Sequence, residues 1–203
     1  MFWRNDISEK SGGSMKKKIV VFNGVHGAGK STLAAALASQ DERLVFYPEV
    51  GRKVREEVTY NALESGEAFD REVMKREMAR DLLLMRSAHV PLVETWHMGN
   101  IGYVYARTPH LVDEFTEKLR QQLTYFEPVC IFIHIDWDVF RQRITEKIQP
   151  HQVEELIAFY QVIRNATFKL YDELGLPYHI IENQGSMAEG MVKVKECLAE
   201  HLD

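Results

Sequence analysis

Residues 24–31 read Gly24-Val25-His26-Gly27-Ala28-Gly29-Lys30-Ser31 and fit the pattern G-x-x-x-x-G-K-[ST] without a mismatch. Such a loop needs glycine because its backbone must wrap closely around phosphate with the amides pointing inward. A β-branched run at 18–23 precedes the loop and an Ala- and Leu-rich run at 31–39 follows it, which predicts a strand, a turn and a helix. The positive N-terminal end of that helix faces the same place, so the sequence predicts a nucleotide-phosphate site.

The chemistry of the motif assigns roles to its last residues. Lys30 is predicted to contact the β- and γ-phosphates, and Ser31 to hold Mg²⁺. His26 stands at an unspecified position and receives no chemical role. The sequence has no N-K-x-D motif of the kind with which GTPases read the base, and the choice between ATP and GTP stays open. The predicted nucleotide contacts in this region are Gly24, Val25, His26, Gly27, Ala28, Gly29, Lys30, Ser31 and Thr32.

Apolar strands alternate with helices along the rest of the chain. Strands are predicted at 18–23, 44–47, 90–94, 129–135 and 177–182, and helices at 31–39, 50–63, 70–89, 111–125, 138–148, 152–174 and 187–202. One face of the helix at 70–89 carries Met74, Met78, Leu82 and Met85. Because the strands are apolar on both faces, the pattern predicts a parallel sheet with helices on both sides. The expected fold is an α/β P-loop NTPase domain with three layers, α/β/α, and a five-stranded parallel sheet.

The composition limits the classes of function. The chain has 203 residues, of which 45% are hydrophobic and 27% charged, with a formal net charge of −5. This is typical of one folded domain, expected over residues 15–203 with a short lid near 141–151. The acidic balance argues against a dedicated binder of nucleic acid or anionic membranes. No apolar run approaches the ~20 residues that a membrane helix needs.

The N-terminus and the cysteines bear on the compartment. Residues 1–14 have no signal-peptide core, and residues 11–14 (Ser-Gly-Gly-Ser) read as a flexible linker, so 1–14 is interpreted as a mobile arm or a remnant of cloning. Cys130 and Cys197 are interpreted as reduced structural thiols, and no Cys/His spacing indicates a zinc site. We therefore expect a cytoplasmic protein.

Glutamates end two of the predicted strands. Parallel α/β sheets bind ligands at the carboxyl ends of their strands. Glu49 follows the second strand and can accept a proton from a hydroxyl that attacks the γ-phosphate; the alternative is that it caps the next helix. Glu94 ends the third strand and can hold Mg²⁺ directly or through water. Arg52 can reach a substrate oxygen or pair with a neighbouring acid.

Basic residues follow the fourth predicted strand, at Arg141, Arg143 and Lys147. They are candidates for lid cations that close over the transferring phosphoryl group, and Arg141 is the preferred catalytic one. The alternative is that they form a solvated helix face.

The segments 24–32, 49–52, 94–103 and 141–171 follow the order found in the P-loop nucleoside and nucleotide kinases. The chain resembles thymidylate kinase and the deoxyribonucleoside kinases. It is more similar to the nicotinamide riboside kinase domains and related small ATPase-like proteins, in which a Pro-Glu followed by a small residue and Arg opens the second helix. The resemblance covers nearly all of 18–200 and implies that Glu49 is the base. Related kinases are often dimers, which leaves a homodimer open.

The resemblance also suggests contacts with the substrate and the nucleotide. Thr95 stands where thymidylate kinase has arginine, which favours an uncharged hydroxyl acceptor over a nucleoside monophosphate. Trp96 and Tyr103 could stack on a flat base or pack in the core. Asn183 follows the last strand, where this fold places the adenine-contacting loop.

The expected function is transfer of the γ-phosphoryl group of Mg·ATP to a small-molecule hydroxyl, with a nucleoside as the favoured acceptor. ATP and Mg²⁺ are the expected cofactors, and no nucleic-acid or membrane partner is expected. Two alternatives stay open: a nucleoside monophosphate kinase of the thymidylate kinase type, and a nucleotide-dependent regulatory P-loop ATPase without a small acceptor. The acidic charge disfavours a nucleic-acid end kinase.

Overall fold

The strands lie where apolar, β-branched residues predict them. The computed structural model of the protein describes residues 15–58, 66–144 and 150–202. Its sheet consists of β1 (Lys17–Asn23), β2 (Leu44–Tyr47), β3 (Val90–Glu94), β4 (Phe126–His134) and β5 (Tyr178–Glu182). Every neighbouring pair is parallel, and the order across the sheet is β2-β3-β1-β4-β5. The predicted five-stranded parallel sheet is confirmed.

Helices connect these strands in the expected alternation. They are α1 (Lys30–Gln40), α2 (Val50–Val58), α3 (Glu67–Arg86), α4 (His97–Arg107), α5 (Val112–Gln122), α6 (Trp137–Ile144), α7 (Pro150–Glu173) and α8 (Met187–Leu202), with a 3-10 turn at Pro109–Leu111. The predicted arm at 1–14, the end of the helix at 50–63 and the end of the helix at 138–148 lie outside the described residues. None of the helices described here is both long and apolar enough to cross a membrane.

The helices form two layers on opposite faces of the sheet. Alternate residues of a strand point to opposite faces, so β1 contributes to two separate cores. Val20 and Phe22 belong to the core that holds residues of α1 and α8. Ile19 and Val21 belong to the core that holds residues of α3, α4, α5 and α7. The three-layer α/β/α architecture is therefore confirmed.

The central position of β1 places the glycine-rich loop. β1 pairs with β3 on one side and β4 on the other, and the loop leaves its carboxyl end. The carboxyl ends of β2 and β3, where Glu49 and Glu94 stand, meet at the same edge of the sheet. Such an edge is where open α/β sheets bind ligands.

Helix α4 is the one described helix that the sequence analysis did not predict. Its sequence contains Gly99 and Gly102, which lower helix propensity. Packing requires both: a Cβ at Gly99 would lie 2.3 Å from Asn23 Oδ1, and one at Gly102 would lie 2.6 Å from Thr167 Oγ1. The close contact between α4 and α7 therefore outweighs the weak local propensity.

Candidate functional site

The glycines of the loop hold a backbone shape that other residues rarely adopt. Gly24, Gly27 and Gly29 have φ angles of 145°, 75° and 91°. A Cβ at Gly24 would lie 2.3 Å from the carbonyl oxygen of Ile133 in β4, and a Cβ at Gly29 would lie 2.6 Å from Nδ2 of Asn183. Glycine is required in the loop because of these dihedral angles and because β4 and the Asn183 side chain approach it closely.

Lys30, the first residue of α1, is buried beneath the loop. Its ammonium group donates hydrogen bonds to the carbonyl oxygens of Gly24 (3.0 Å) and Val25 (3.1 Å) and lies 4.0 Å from Oε1 of Glu94. Burial lowers the pKa of Lys30 from its ordinary value, an effect that Glu94 partly opposes. A bound anionic phosphate would stabilise the positive charge of this buried ammonium group.

Ser31 and Glu94 are brought into direct contact. Ser31 Oγ lies 2.8 Å from both carboxylate oxygens of Glu94, whose side chain is 1% exposed. Arg52 donates to Ser31 Oγ (3.0 Å) and to Glu94 Oε1 (3.1 Å). Arg52 thus pairs with an acid, which is one of the two roles that the sequence analysis considered for it. Thr32 is exposed on the first turn of α1 beside this group.

Glu49 is buried just before α2 and lies among cations. Arg55 donates to its Oε1 at 3.0 Å, and Arg52 lies 4.0 Å from its Oε2. Burial alone would raise the pKa of Glu49, but the charges of Arg55 and Lys30 outweigh it and hold that pKa below its ordinary value. Burial and Lys30 also lower the pKa of His26. Glu49 is therefore an ionised carboxylate next to the phosphate loop.

Glu49 also lines a small concavity of about 10 Å³, room for about one water molecule, on the side away from the loop. It is enclosed by α2, α3, α4 and the start of α5. Charged, polar and aromatic side chains share its wall: Glu49, Arg55, Phe69, Asp70, Asn100, Tyr103, Arg107 and Phe115. Arg107 pairs with Asp70, and Thr108 Oγ1 donates to the other oxygen of Asp70 at 2.6 Å.

Arg143 and Asn183 brace the loop from the opposite side. Arg143 donates to the carbonyl oxygens of Gly27 (3.0 Å) and Asn183 (3.0 Å). Nδ2 of Asn183 donates to the carbonyl oxygen of Ala28 at 2.8 Å, and the Asn183 side chain is buried. Asn183 therefore supports the loop directly, rather than standing open to a base as the sequence analysis expected.

Arg141, the preferred lid cation, points elsewhere. It is bound by Glu154 (2.9 Å) and Asp138 (2.8 Å) at the surface. Of the two arginines of α6, Arg143 is the one for which the structure shows a contact with the loop, and the catalytic role of Arg141 stays a prediction. Arg141 and Arg143 are two residues apart, and residues at this spacing lie on different faces of a helix. Lys147 lies outside the described residues.

Trp96 is a core residue. Its ring is fully buried, packs edge-on against Phe126 at 5.5 Å between ring centroids, and donates from Nε1 to Asp81 at 2.8 Å. The prediction that Trp96 stacks on a substrate base is therefore wrong, and its alternative of core packing holds.

Thr95 and Tyr103 lie closer to the site. Thr95 has a φ of 49°, unusual for a residue other than glycine, and its amide donates to the carbonyl oxygen of Phe22 at 2.9 Å. Tyr103 is half-buried, contacts Tyr160 and lines the concavity beside Glu49. Burial raises the pKa of Tyr103 well above its ordinary value, so its hydroxyl keeps its proton. Of the two aromatic candidates, Tyr103 is the one in the pocket wall.

The protein family described as AAA domain matches residues 19–189 of the chain. The chain belongs to the AAA domain family. The matched span holds the loop, both strand-end glutamates and the bracing pair formed by Arg143 and Asn183. Comparison with curated proteins gave no match for this AAA domain.

Solved structures share the fold of this AAA domain. Thymidylate kinase from Ehrlichia chaffeensis superposes with a TM-score of 0.61 at 12% identity, covering 90% of this chain and 99% of its own. Thymidylate kinase from Candida albicans gives 0.60 at 11% identity, covering 92% and 93%. The NadR protein in complex with NR gives 0.67 at 14% identity, covering 91% of this chain and 50% of NadR. The likeness establishes a P-loop kinase-like fold.

A buried polar cluster beneath the site of this AAA domain was missed by the sequence analysis. Arg80 donates to the carbonyl oxygens of Pro48 (2.8 Å) and Thr95 (3.2 Å), the residues that adjoin Glu49 and Glu94. It also pairs with Glu77 at 2.6 Å, and both side chains are almost fully buried. Arg80 therefore ties together the ends of the two strands that carry the site glutamates.

The rest of this cluster joins α3 to α4. Glu77 accepts from Asn100 at 2.9 Å, and Asp81 lies 2.6 Å from Nε2 of His97. Burial raises the pKa of Glu77, although the charge of Arg80 opposes this. The guanidinium of Arg80 balances the charge of the Glu77 carboxylate.

The signal for this cluster was present in the sequence. The predicted apolar face of the 70–89 helix is wrong in part, because Leu82 and Met85 are 65% and 43% exposed. Three charged residues at i, i+3 and i+4 face inward instead: Glu77, Arg80 and Asp81. Opposite charges at this spacing on one helix face could have indicated a paired, buried network.

Proposed function

We propose that this AAA domain transfers the γ-phosphoryl group of Mg·ATP to a hydroxyl of a small acceptor, with a nucleoside as the favoured class. The observation that carries the proposal is the position of Glu49. Its carboxylate lies within electrostatic reach of Lys30 in the phosphate loop and also lines the small concavity between α2, α3 and α4. One ionised carboxylate between a phosphate site and an acceptor pocket is what a phosphotransferase needs.

The phosphate side is supported by the loop and by Lys30. The loop amides and the N-terminus of α1 would bind the phosphate oxygens, and Lys30 would exchange its carbonyl contacts for the β- and γ-phosphates. The hydroxyl of Ser31 and the carboxylate of Glu94 form an all-oxygen donor pair, which fits Mg²⁺. Mg²⁺ would neutralise charge that develops on the phosphate oxygens.

The acceptor side is supported by the lining of the concavity. Among its described lining residues, the carboxylates of Glu49 and Asp70 match the guanidinium groups of Arg55 and Arg107 in number. A pocket with cancelling charge favours an uncharged polar acceptor over an anionic one. The rings of Phe69, Tyr103 and Phe115 add apolar surface, and the concavity of about 10 Å³ would have to widen for a flat base to contact them.

In the proposed reaction, the acceptor hydroxyl oxygen forms a bond to the γ-phosphorus and the bond from that phosphorus to the β,γ-bridging oxygen breaks. The hydroxyl proton passes to the carboxylate of Glu49, and ADP leaves with the electron pair of the broken bond. Arg55 and Arg52 hold the carboxylate in place. Catalysis rests mainly on position and electrostatics.

A regulatory ATPase without a small acceptor is the second candidate. It is supported by the pairing of both glutamates with arginines of the same helix: Glu49 with Arg55 and Glu94 with Arg52. Such pairs could report the state of the nucleotide to α2. In this case ATP hydrolysis would not depend on any added alcohol.

A nucleoside monophosphate acceptor is the third candidate. Arg55 and Arg107 could bind its phosphate if each exchanged its protein carboxylate for the ligand. The exchange would leave Glu49 and Asp70 without those partners, which is why the uncharged acceptor is favoured.

The test is ADP release with Mg·ATP against a panel of nucleosides and nucleoside monophosphates. Lys30→Ala serves as the blank and should lose at least about 10²-fold in rate. Lys53→Ala, a change of an exposed lysine on α2, is the matched control. Stimulation by a nucleoside that disappears only in Lys30→Ala supports the proposal. Slow release that no acceptor stimulates favours the regulatory ATPase, and stimulation by monophosphates alone favours the third candidate.

A further inference from the structure

A cluster of metal-ligating side chains lies near an edge of the sheet, at the end of the strands opposite to the glycine-rich loop. His179 is the second residue of the edge strand β5, and Cys197 and His201 lie in the last two turns of α8. Lys18, near the start of β1, bonds to the carbonyl oxygen of His201, which places the end of α8 at the amino-terminal end of the strands. The glycine-rich loop and the strand-end glutamates lie at the opposite end.

The three side chains converge on one place. Nε2 of His179 lies 2.8 Å from Nε2 of His201, with ring centroids 4.9 Å apart and ring planes at 65°. One ligand atom from each of His179, Cys197 and His201 lies within 4.8 Å of the other two. Cys197 is buried and both histidines are half-buried. The positions 197 and 201 share a helix face because they are four residues apart.

This donor set has the character of a transition-metal site. Two imidazole nitrogens and one thiolate are ligands that Zn²⁺ and similar borderline-soft divalent ions prefer. The two facing Nε2 atoms could both bind one cation through their lone pairs. Without a cation, one ring must donate a hydrogen bond and the other must accept it. We propose that His179, Cys197 and His201 bind one divalent transition-metal ion, with Zn²⁺ as the best match and water as a fourth ligand.

The surroundings of Cys197 disfavour a reactive thiol. Burial, with a smaller contribution from the carboxylate of Glu200, raises the pKa of the Cys197 thiol, so the metal-free thiol is protonated and a poor nucleophile. Glu200 adds negative charge near the site. Lys18 opposes it, but its ammonium group is directed to a backbone carbonyl. Metal binding would release a proton from Cys197.

The effect of such a site would be structural. The ion would tie the C-terminal turns of α8 to the edge strand β5, two elements at the border of the sheet. An edge strand has unpaired backbone N–H and C=O groups along one side, and proteins commonly protect it from pairing with other chains. The sequence analysis did not predict the site because His179 in β5 is 18 residues from Cys197 and 22 residues from His201 in α8.

Co²⁺ titration of the full chain after chelation tests this inference. We expect one equivalent of Co²⁺ to give a thiolate-to-cobalt charge-transfer band. Zn²⁺ should displace the Co²⁺ and raise the midpoint temperature of thermal unfolding. Cys197→Ser should abolish the band, and His179→Gln and His201→Gln should each weaken binding by at least about 10-fold. His89→Gln, at an exposed histidine elsewhere, is the matched control.

Two results would overturn the inference. The first is a folded wild-type chain, verified by circular dichroism, that gives no charge-transfer band. The second is a band that persists unchanged in Cys197→Ser, which would assign the cobalt to Cys130. The His179→Gln variant alters a half-buried position on β5, so it tests the site even if Cys197→Ser does not fold.

Discussion

Ser31 Oγ lies 2.8 Å from each carboxylate oxygen of Glu94, although the two residues are 63 positions apart in the chain. Ser31 is the second residue of α1, the helix that follows β1, and Glu94 ends the neighbouring strand β3. Parallel pairing of these two strands therefore places a hydroxyl and a carboxylate side by side. This is the donor pair that we expect to hold Mg²⁺ with the nucleotide.

Glu94→Gln should raise the Mg²⁺ concentration needed for half-maximal nucleotide turnover by about 10-fold or more, because a neutral amide is a much weaker ligand than a carboxylate. The measurement is turnover against free Mg²⁺ at fixed ATP. Glu127→Gln, at an exposed acid in β4, is the control. An unchanged Mg²⁺ requirement in Glu94→Gln would remove Glu94 from the metal site.

Arg143→Ala should weaken nucleotide binding by roughly 10-fold, because two hydrogen bonds that hold the loop and Asn183 are lost. Arg141→Ala should leave nucleotide affinity unchanged, because its acidic partners lie at the surface. Calorimetric titration with a non-hydrolysable ATP analogue compares them. A larger loss in Arg141→Ala would support that residue as the lid cation.

Arg80→Met should lower both the free energy of unfolding, by about 3–5 kcal/mol, and turnover, because it leaves Glu77 buried without its cation. Adding Glu77→Gln should recover part of the stability, since the uncompensated charge is removed. Turnover should stay low in the double variant, because the contacts to the Pro48 and Thr95 carbonyls remain absent. Urea unfolding and ADP release, measured on the same preparations, separate the two effects. Full recovery of turnover in the double variant would show that Arg80 only stabilises the fold.

The acid dependence of stability should include a contribution from Glu49. Its pKa in the folded protein lies below the ordinary 4.5, so ionised Glu49 stabilises the protein above that pH. This stability is lost as the pH falls through the folded-state pKa. Glu49→Gln should therefore cost about 1–3 kcal/mol at pH 7 and progressively less below pH 4.5. Urea unfolding of both proteins across this range makes the comparison, and a constant difference would contradict the assignment.

Gly102→Ala should destabilise the protein by about 1–3 kcal/mol, although alanine is the better helix former. The added Cβ would lie 2.6 Å from Thr167 Oγ1 and 3.0 Å from the carbonyl oxygen of Ile163. Thermal unfolding measures the effect. In a Thr167→Ala background the cost should shrink, because the shortest of the close contacts disappears. A stabilised Gly102→Ala would mean that α4 and α7 are less tightly packed.

Local patterns were enough to predict the sheet, the loop and the two strand-end glutamates. Residues 24–31 specify their own turn, and apolar β-branched runs specify buried strands wherever they stand. The fold then places Glu49 and Glu94 at one edge, since the carboxyl ends of parallel strands meet there. Their positions near the loop thus follow from the sequence and the topology together.

Features that depend on the direction of a side chain were harder to predict. Arg141 and Arg143 are two residues apart, and the contact of only Arg143 with the loop follows from how α6 packs. Trp96 is adjacent to Thr95 at the end of β3, yet its ring points into the core. The charge spacing of Glu77, Arg80 and Asp81 could have indicated a paired network, but the donation of Arg80 to two backbone carbonyls has no sequence signature.

Acceptor-dependent turnover of Glu49→Gln, with ATP affinity measured on the same protein, tests the central claim most directly. The account predicts a loss of about 10²-fold or more in acceptor-stimulated ADP release, with the dissociation constant for Mg·ATP changed only a few-fold. It also predicts that the wild-type chain is stimulated by a nucleoside. Unchanged acceptor-dependent turnover in folded Glu49→Gln would contradict the account, because Glu49 would then have no part in phosphoryl transfer.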